Sequence, residues 1–230
     1  MSVNDMAMPT VVLHERTFIS KVYGWMAFAL VLTGLVAWAT FSTPLGKMVW
    51  GNPALFYGAL IGELLLVIGL SAGINKMSAA TATGVFVLYS ALNGLTLSVI
   101  FLMFTAESIA STFFITAGTF GAMSLYGYYT KTDLTSIGNL CLMALFGVII
   151  ASVVNLFLAS PALYWITTYV GIAVFVGLTA YDTQKIKRMG LAGIEEGDAA
   201  QKGAIMGALA LYLDFINLFL LLLRLFGRRR

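Results

Sequence analysis

The sequence predicts an all-α integral membrane protein with seven transmembrane helices. Three observations lead there. The 230 residues are 60% hydrophobic and 10% charged, where a soluble domain averages about 45–50% apolar and about 25% charged. Too few charged side chains exist to cover a globule of this size, and the mean hydropathy of +0.94 agrees. Seven apolar stretches reach or approach the length of about 20 residues that crosses a hydrocarbon core of about 30 Å. Finally, Lys and Arg fall almost wholly between those stretches and at the C-terminal tail, the pattern of a topology signal.

In chain order the stretches are Val22 to Phe41, Ala54 to Ala72, Ala79 to about Phe104, Ile109 to Tyr129, Ile137 to Leu158, Tyr164 to Tyr181, and Ala204 to Phe226. The links between them are polar or carry Gly and Pro: Ser42-Thr43-Pro44, Asn75-Lys76, Thr130 to Asp133, and Ser160-Pro161. The longest link, Asp182 to Gly203, holds Glu195, Glu196 and Asp198 and reads as a solvated loop. This divides the chain into an N-terminal tail (1–21), one helical membrane domain (22–226) and a basic tail (227–230). Ala37-Trp38-Ala39 resembles a leader cleavage site, but the apolar run before it is too long, so the first stretch reads as a retained helix.

Charge counting sets the orientation. With seven crossings, Arg16, Lys21, Lys76, Lys131, Lys185, Lys187, Arg188 and Lys202 share one side, against Lys47, Arg224, Arg228, Arg229 and Arg230 on the other. A last segment that turned back would give twelve against one, yet its 23 residues favour a full crossing. In both cases the positive-inside rule places the N-terminus and the Lys185 link in the cytoplasm.

Composition excludes other classes. With 4 Pro and 1 Cys the chain is neither collagenous nor a disulfide scaffold. Cys141 has no intrachain partner, and the single His14 lies outside every apolar stretch, which removes thiolate and imidazole metal clusters. The net charge of +3 belongs to topology, so no nucleic-acid partner is expected, and no cofactor is implied.

Three acids sit where lipid makes charge expensive: Glu63, Asp182 and Asp214. Such residues face a bundle interior and commonly mark function. Asp214 lies mid-stretch in Leu211-Tyr212-Leu213-Asp214-Phe215-Ile216-Asn217-Leu218-Phe219, with Asn217 three residues on and so on the same helix face. Its alternative role is a protonated carboxyl that bonds a neighbouring helix. Asp182 ends the sixth stretch, in Gly177-Leu178-Thr179-Ala180-Tyr181-Asp182-Thr183-Gln184, and its alternative is an interfacial acid paired with Lys185. Antiparallel sixth and seventh helices can bring Asp182 and Asp214 to similar depth. Two close carboxyls in low dielectric share a proton. Singly protonated, they form a closed hydrogen bond. Doubly ionised, they offer hard oxygens to a cation such as Ca²⁺. Glu63 is a further station for a cation or proton, or an acid satisfied by Asn93 or Asn155. Lys76 is a candidate counter-charge for the pair, or an ordinary positive-inside residue.

These segments resemble the Bax inhibitor-1 family, also called the transmembrane Bax inhibitor motif family, and most of all its proteobacterial inner-membrane branch. Ser124-Leu125-Tyr126-Gly127-Tyr128 and Lys131-Thr132-Asp133-Leu134 add to the match, which covers Tyr23 to Gly227. The resemblance implies six helices around a central seventh, in a bacterial inner membrane. It also implies a pH-sensitive Ca²⁺ leak sensed by two aspartates, to which Asp182 and Asp214 correspond, and an acid at the pore entrance, to which Glu63 corresponds. Asn217 lies beside this ion pathway. Some bacterial relatives carry an Arg latch at the end of the second helix; here Ile74, Asn75 and Lys76 stand there, and Lys supplies charge without a bidentate fork.

Two other functions compete with a cation pathway. Some bacterial relatives are associated with a membrane-bound protease, which makes an interaction protein the alternative. Paired intramembrane aspartates also suggest an aspartyl protease, but Asp214 follows Leu211-Tyr212-Leu213 with no glycine, and Pro161-Ala162-Leu163 precedes both acids. The expectation is a non-enzyme.

Overall fold

The structure is a computed structural model. It describes the backbone of residues 3–191 and 197–230, and the side chains of these residues from Glu15 onward. His14, Glu195 and Glu196 lie outside the side chains described. Among the described residues every regular element is helical. The helices are α1 (Val3–Ser42), α2 (Pro44–Trp50), α3 (Pro53–Gly73), α4 (Ala79–Leu97), α5 (Ile100–Met103), α6 (Ala106–Tyr129), α7 (Thr135–Leu158), α8 (Pro161–Leu191) and α9 (Asp198–Phe226), with a 3-10 turn at Ile74–Lys76. Seven segments are long and apolar enough to cross a membrane: Glu15–Ser42, Pro53–Lys76, Ala79–Met103, Ala106–Tyr129, Thr135–Leu158, Pro161–Leu191 and Asp198–Phe226.

The helix starts follow local chemistry. Pro44, Pro53 and Pro161 each open a helix, where the missing N–H costs nothing and φ is already helical. The Asn52 side chain accepts from the N–H groups of Ala54 and Leu55 at the start of α3. Ser78 caps α4 through Thr81 N–H, and Thr105 caps α6 through Ser108 N–H. Each bond meets one of the donors that a helix start leaves open.

Several boundaries differ from the sequence expectation. The link expected as a loop from Asp182 to Gly203 is mostly helix, because α8 runs on to Leu191 and α9 begins at Asp198. Thr183, Gln184, Ile186 and Gly190 are buried while Lys185 and Arg188 are exposed, so α8 continues with one face against the protein. The N-terminal tail is likewise helical, from Val3 into the first crossing. The third stretch breaks after Leu97. There Thr96 and Ser98 hydroxyls bond back to the carbonyls of Asn93 and Leu95, and Val99 N–H reaches back three residues to Thr96. Such back-bonding competes with the helix ladder. Helix α2 fills the second link.

Contacts divide the chain into two compact units. The first contains residues up to Phe104, Arg188–Tyr212 and Arg230; the second contains Thr105–Lys187 and Leu213–Arg229. In the first, α1 and α3 both pack on α4. The start of α9 is tied to the start of α4, since Asp198 Oδ1 accepts from Ala79 N–H at 2.8 Å and Lys202 donates to the Met77 carbonyl at 3.0 Å. In the second, the end of α9 meets the start of α6: Thr105 N–H donates to the Arg228 carbonyl and Arg228 N–H to Ser108 Oγ. At 29 residues α9 is about 43 Å long. It is an unbroken helix, long and apolar enough to cross a membrane. It is also the most enclosed span: 67% of its most apolar stretch is buried, against 0% for α7.

Close helix approaches depend on glycine at a few points. A Cβ on Gly94 would lie 2.6 Å from the Thr33 carbonyl oxygen, whereas one on Gly84 would meet nothing within 4 Å. Gly94→Ala is expected to destabilise the protein by about 1–3 kcal/mol through overpacking. Gly84→Ala is expected to be neutral or stabilising by up to about 1 kcal/mol. Thermal unfolding of the detergent-solubilised variants checks both.

Candidate functional site

Asp214 is the first polar residue of the second unit's share of α9. It is buried, 4% exposed, and its surroundings are apolar. Phe215 lies edge-on to Phe113 and Phe120 of α6, with ring centroids 5.4 and 5.5 Å apart. Leu218 and Leu222 join Val174, Phe175 and Leu178 of α8 in one core cluster. These contacts hold α9 against α6 and α8 and turn Asp214 inward. The Asp182 side chain, half-buried on α8, hydrogen-bonds the Asp214 side chain, and Lys185 one turn further on acts on Asp182 electrostatically. A bond between two carboxyls forms only when one of them carries a hydrogen. The Asp214 Oδ2 atom is buried and accepts no N–H or hydroxyl hydrogen bond.

The structure therefore joins Asp182 and Asp214, and the charge that acts on Asp182 is Lys185. Lys76 is exposed in the 3-10 turn of the first unit. Asn217 donates its amide to the Leu213 carbonyl of its own helix at 2.8 Å, so it is bonded along α9. Among the described residues no cluster of three or more Asp, Glu, His or Cys exists. A Ca²⁺ ion at the pair, which takes six to eight oxygens, would need carbonyl and water oxygens besides the two carboxyls.

Glu63 belongs to the first unit and has its own partners. Asn93 Nδ2 donates to its Oε2 at 3.0 Å, and Thr96 Oγ1 donates to its Oε1 at 2.6 Å. Asn93 is thus the residue that satisfies Glu63. Asn155, the other expected partner, instead accepts from Ser160 N–H at the end of α7, where Ala159 takes a left-handed conformation with φ 48°. The Tyr212 hydroxyl lies 3.1 Å from Asn93 Oδ1 and 2.7 Å from Thr33 Oγ1. Thr33, Thr96 and Tyr212 were not singled out by sequence. The only signal was spacing, since Asn93 and Thr96 share a helix face at i, i+3.

Sequence reasoning also missed what fixes Asp182. On its helix, Gln184 accepts from Leu134 N–H at 2.9 Å and donates to the Thr132 carbonyl at 2.8 Å. Lys187 donates to the Tyr128 carbonyl at 2.8 Å and lies 4.6 Å from the Tyr128 ring centroid. Gly127 abuts the Ala180 backbone, and Gly138 abuts the Tyr181 ring. Pro161-Ala162-Leu163 opens the same helix, about 31 Å from Asp182 along its axis. That placement separates the Pro-Ala-Leu run from both aspartates.

The family model described as "Inhibitor of apoptosis-promoting Bax1" matches residues 15–230. The chain belongs to the Bax inhibitor-1 family. Among its relatives in this family, the inner membrane protein YbhL of Escherichia coli K12 is 56% identical over 218 residues, covering 94% of this chain and 93% of its own. An uncharacterized protein, RP147, of Rickettsia prowazekii is 48% identical, covering 94% and 91%. An uncharacterized protein of Borreliella burgdorferi is 44% identical over 220 residues, covering 95% of each.

Gln184→Leu removes both bonds to the link before α7 and leaves Leu134 N–H and the Thr132 carbonyl unmet. A loss of about 1–3 kcal/mol is expected, with faster amide exchange confined to residues 130–135. Hydrogen exchange followed by mass spectrometry checks the location.

Proposed function

We propose that this Bax inhibitor-1 family membrane protein is a pH-sensitive cation leak, with Ca²⁺ as the candidate ion, gated by proton sharing between Asp182 and Asp214. It is proposed to lie in a bacterial inner membrane, as the name of its relative YbhL states for that protein, with its N-terminus in the cytoplasm, and to act without catalysis. The observation that carries this reading is the hydrogen bond between two carboxyls on helices long and apolar enough to cross a membrane, with Asp214 buried among apolar side chains. With the proton in place the pair ties α8 to α9. Asp214 is the more deeply buried partner and Asp182 has Lys185 nearby, so the proton resides on Asp214. Loss of the proton breaks the tie and leaves two mutually repelling carboxylates, which are hard-oxygen ligands for a passing cation.

The sign follows. Raising the pH removes the shared proton, so flux should rise with pH. The test is Ca²⁺ entry into proteoliposomes on both sides of neutral pH. Wild type should show pH-dependent flux, and Asp182→Asn and Asp214→Asn should each lose the pH dependence. Unchanged pH-dependent flux in Asp214→Asn overturns the proposal. No flux from correctly folded wild type would favour an interaction role, such as association with a membrane-bound protease.

A further inference from the structure

The first unit holds a hydrogen-bonded chain whose far end dictates its direction. It ends on the backbone carbonyl of Ser90, an atom with no hydrogen to give. Thr33 Oγ1 lies 2.9 Å from that oxygen and must donate to it. The one hydrogen of Thr33 is then committed. The Tyr212 hydroxyl, 2.7 Å away, must therefore donate to Thr33. Tyr212 can then only accept at its 3.1 Å contact with Asn93. That puts the Asn93 NH₂ toward Tyr212 and its carbonyl toward Glu63, 3.0 Å from a carboxyl oxygen. Two facing oxygens form a bond only if Glu63 carries the hydrogen.

The opposite amide orientation, the one the structure has, suits an ionised Glu63: Asn93 donates to Glu63 and Tyr212 donates to Asn93. The single Thr33 hydrogen must then serve both Tyr212 and the Ser90 carbonyl, and one contact stays unfilled. The two orientations exchange N and O without moving the outline of the amide. A Glu63 protonated toward Asn93 fills every contact from its carboxyl through Tyr212 and Thr33 to Ser90, while the single Thr96 hydrogen still chooses between Glu63 and the Asn93 carbonyl. The charge of an ionised Glu63 reaches Tyr89 of α4 and Tyr212 of α9, and among the described residues no Lys or Arg acts on Glu63.

We propose that Glu63 is a proton-binding site, and that its proton sets the direction of the chain Glu63–Asn93–Tyr212–Thr33–Ser90, which links α3, α4, α9 and α1. Removing the proton turns Asn93 over and redirects the Tyr212 hydroxyl from Thr33 to Asn93. Thr33 must then choose between Tyr212 and Ser90, so its tie between α1 and α4 weakens. This site is separate from the aspartate pair, and the inference stands whether or not that pair gates an ion.

Infrared spectroscopy of the full chain in lipid nanodiscs tests it. Labelling glutamate carboxyls with ¹³C distinguishes them from aspartates. At neutral pH a label-sensitive protonated-carboxyl band is expected. It should vanish in Glu63→Gln and shift in Tyr212→Phe, which leaves Glu63 and Asn93 in place. Absence of the band, or its survival in Glu63→Gln, overturns the proposal. If Glu63→Gln fails to fold, the Tyr212→Phe shift decides alone: no shift overturns the proposal.

Discussion

Water is absent at bilayer depth, so a polar side chain there pairs with another part of the protein or stays unpaired at considerable cost. That constraint bears most on α9, the most enclosed span, which carries Tyr212, Asp214 and Asn217 within six residues. Each meets it differently. Tyr212 reaches across to Thr33 of α1 and Asn93 of α4. Asn217 folds its amide back onto its own helix. Asp214 takes a carboxyl partner from α8, and no N–H or hydroxyl donor reaches its Oδ2.

The two sides of the aspartate pair are held by different forces. Around Asp182, α8 is fixed to the links and helices beside it by directed bonds from Gln184 and Lys187 and by close glycine approaches at Gly127 and Gly138. Around Asp214, α9 is held by phenylalanine edges and aliphatic packing. Directed bonds break when their partners slide, and close-packed apolar contacts weaken within an ångström of separation. Helix α9 is also tied by directed bonds near both ends, through Asp198 and Lys202 at its start and Arg228 beyond its last turn, so in the proposed gate loss of the proton acts first on the bond between the two aspartates.

The spans were legible because length and apolarity are properties of single segments, and α9 announced itself by an acid and an amide in an otherwise apolar run. The pairing of Asp182 with Asp214 was legible as an allowance of antiparallel helices. The Glu63 network was much less so. Thr33, Thr96 and Tyr212 look like ordinary packing residues in their own helices, and their roles arise only when α1, α3, α4 and α9 meet. Asn93 and Asn155 were equal candidates by sequence, since both are amides in apolar stretches; the bond from Ser160 N–H to Asn155 at the end of α7 decided between them. The long link after Asp182 misled because its charges look like loop composition, whereas one buried face is enough to continue a helix.

Glu63 and Asp214 are the same kind of group at similar cost, and their neighbours give them opposite capacities. Glu63 has both oxygens engaged, by Asn93 and Thr96. Its remaining freedom is the position of a hydrogen, and the chain leading to Ser90 registers that position as a direction. Asp214 meets only another carboxyl, and no N–H or hydroxyl donor reaches its Oδ2. Placing Glu63 on an ion's route would require breaking two bonds first, whereas in the proposed gate Asp214 needs only to lose a proton shared with Asp182. On that reading Asp214 is the acid that meets an ion, and Glu63 is the one whose bonds to Asn93 and Thr96 tie α3 to α4.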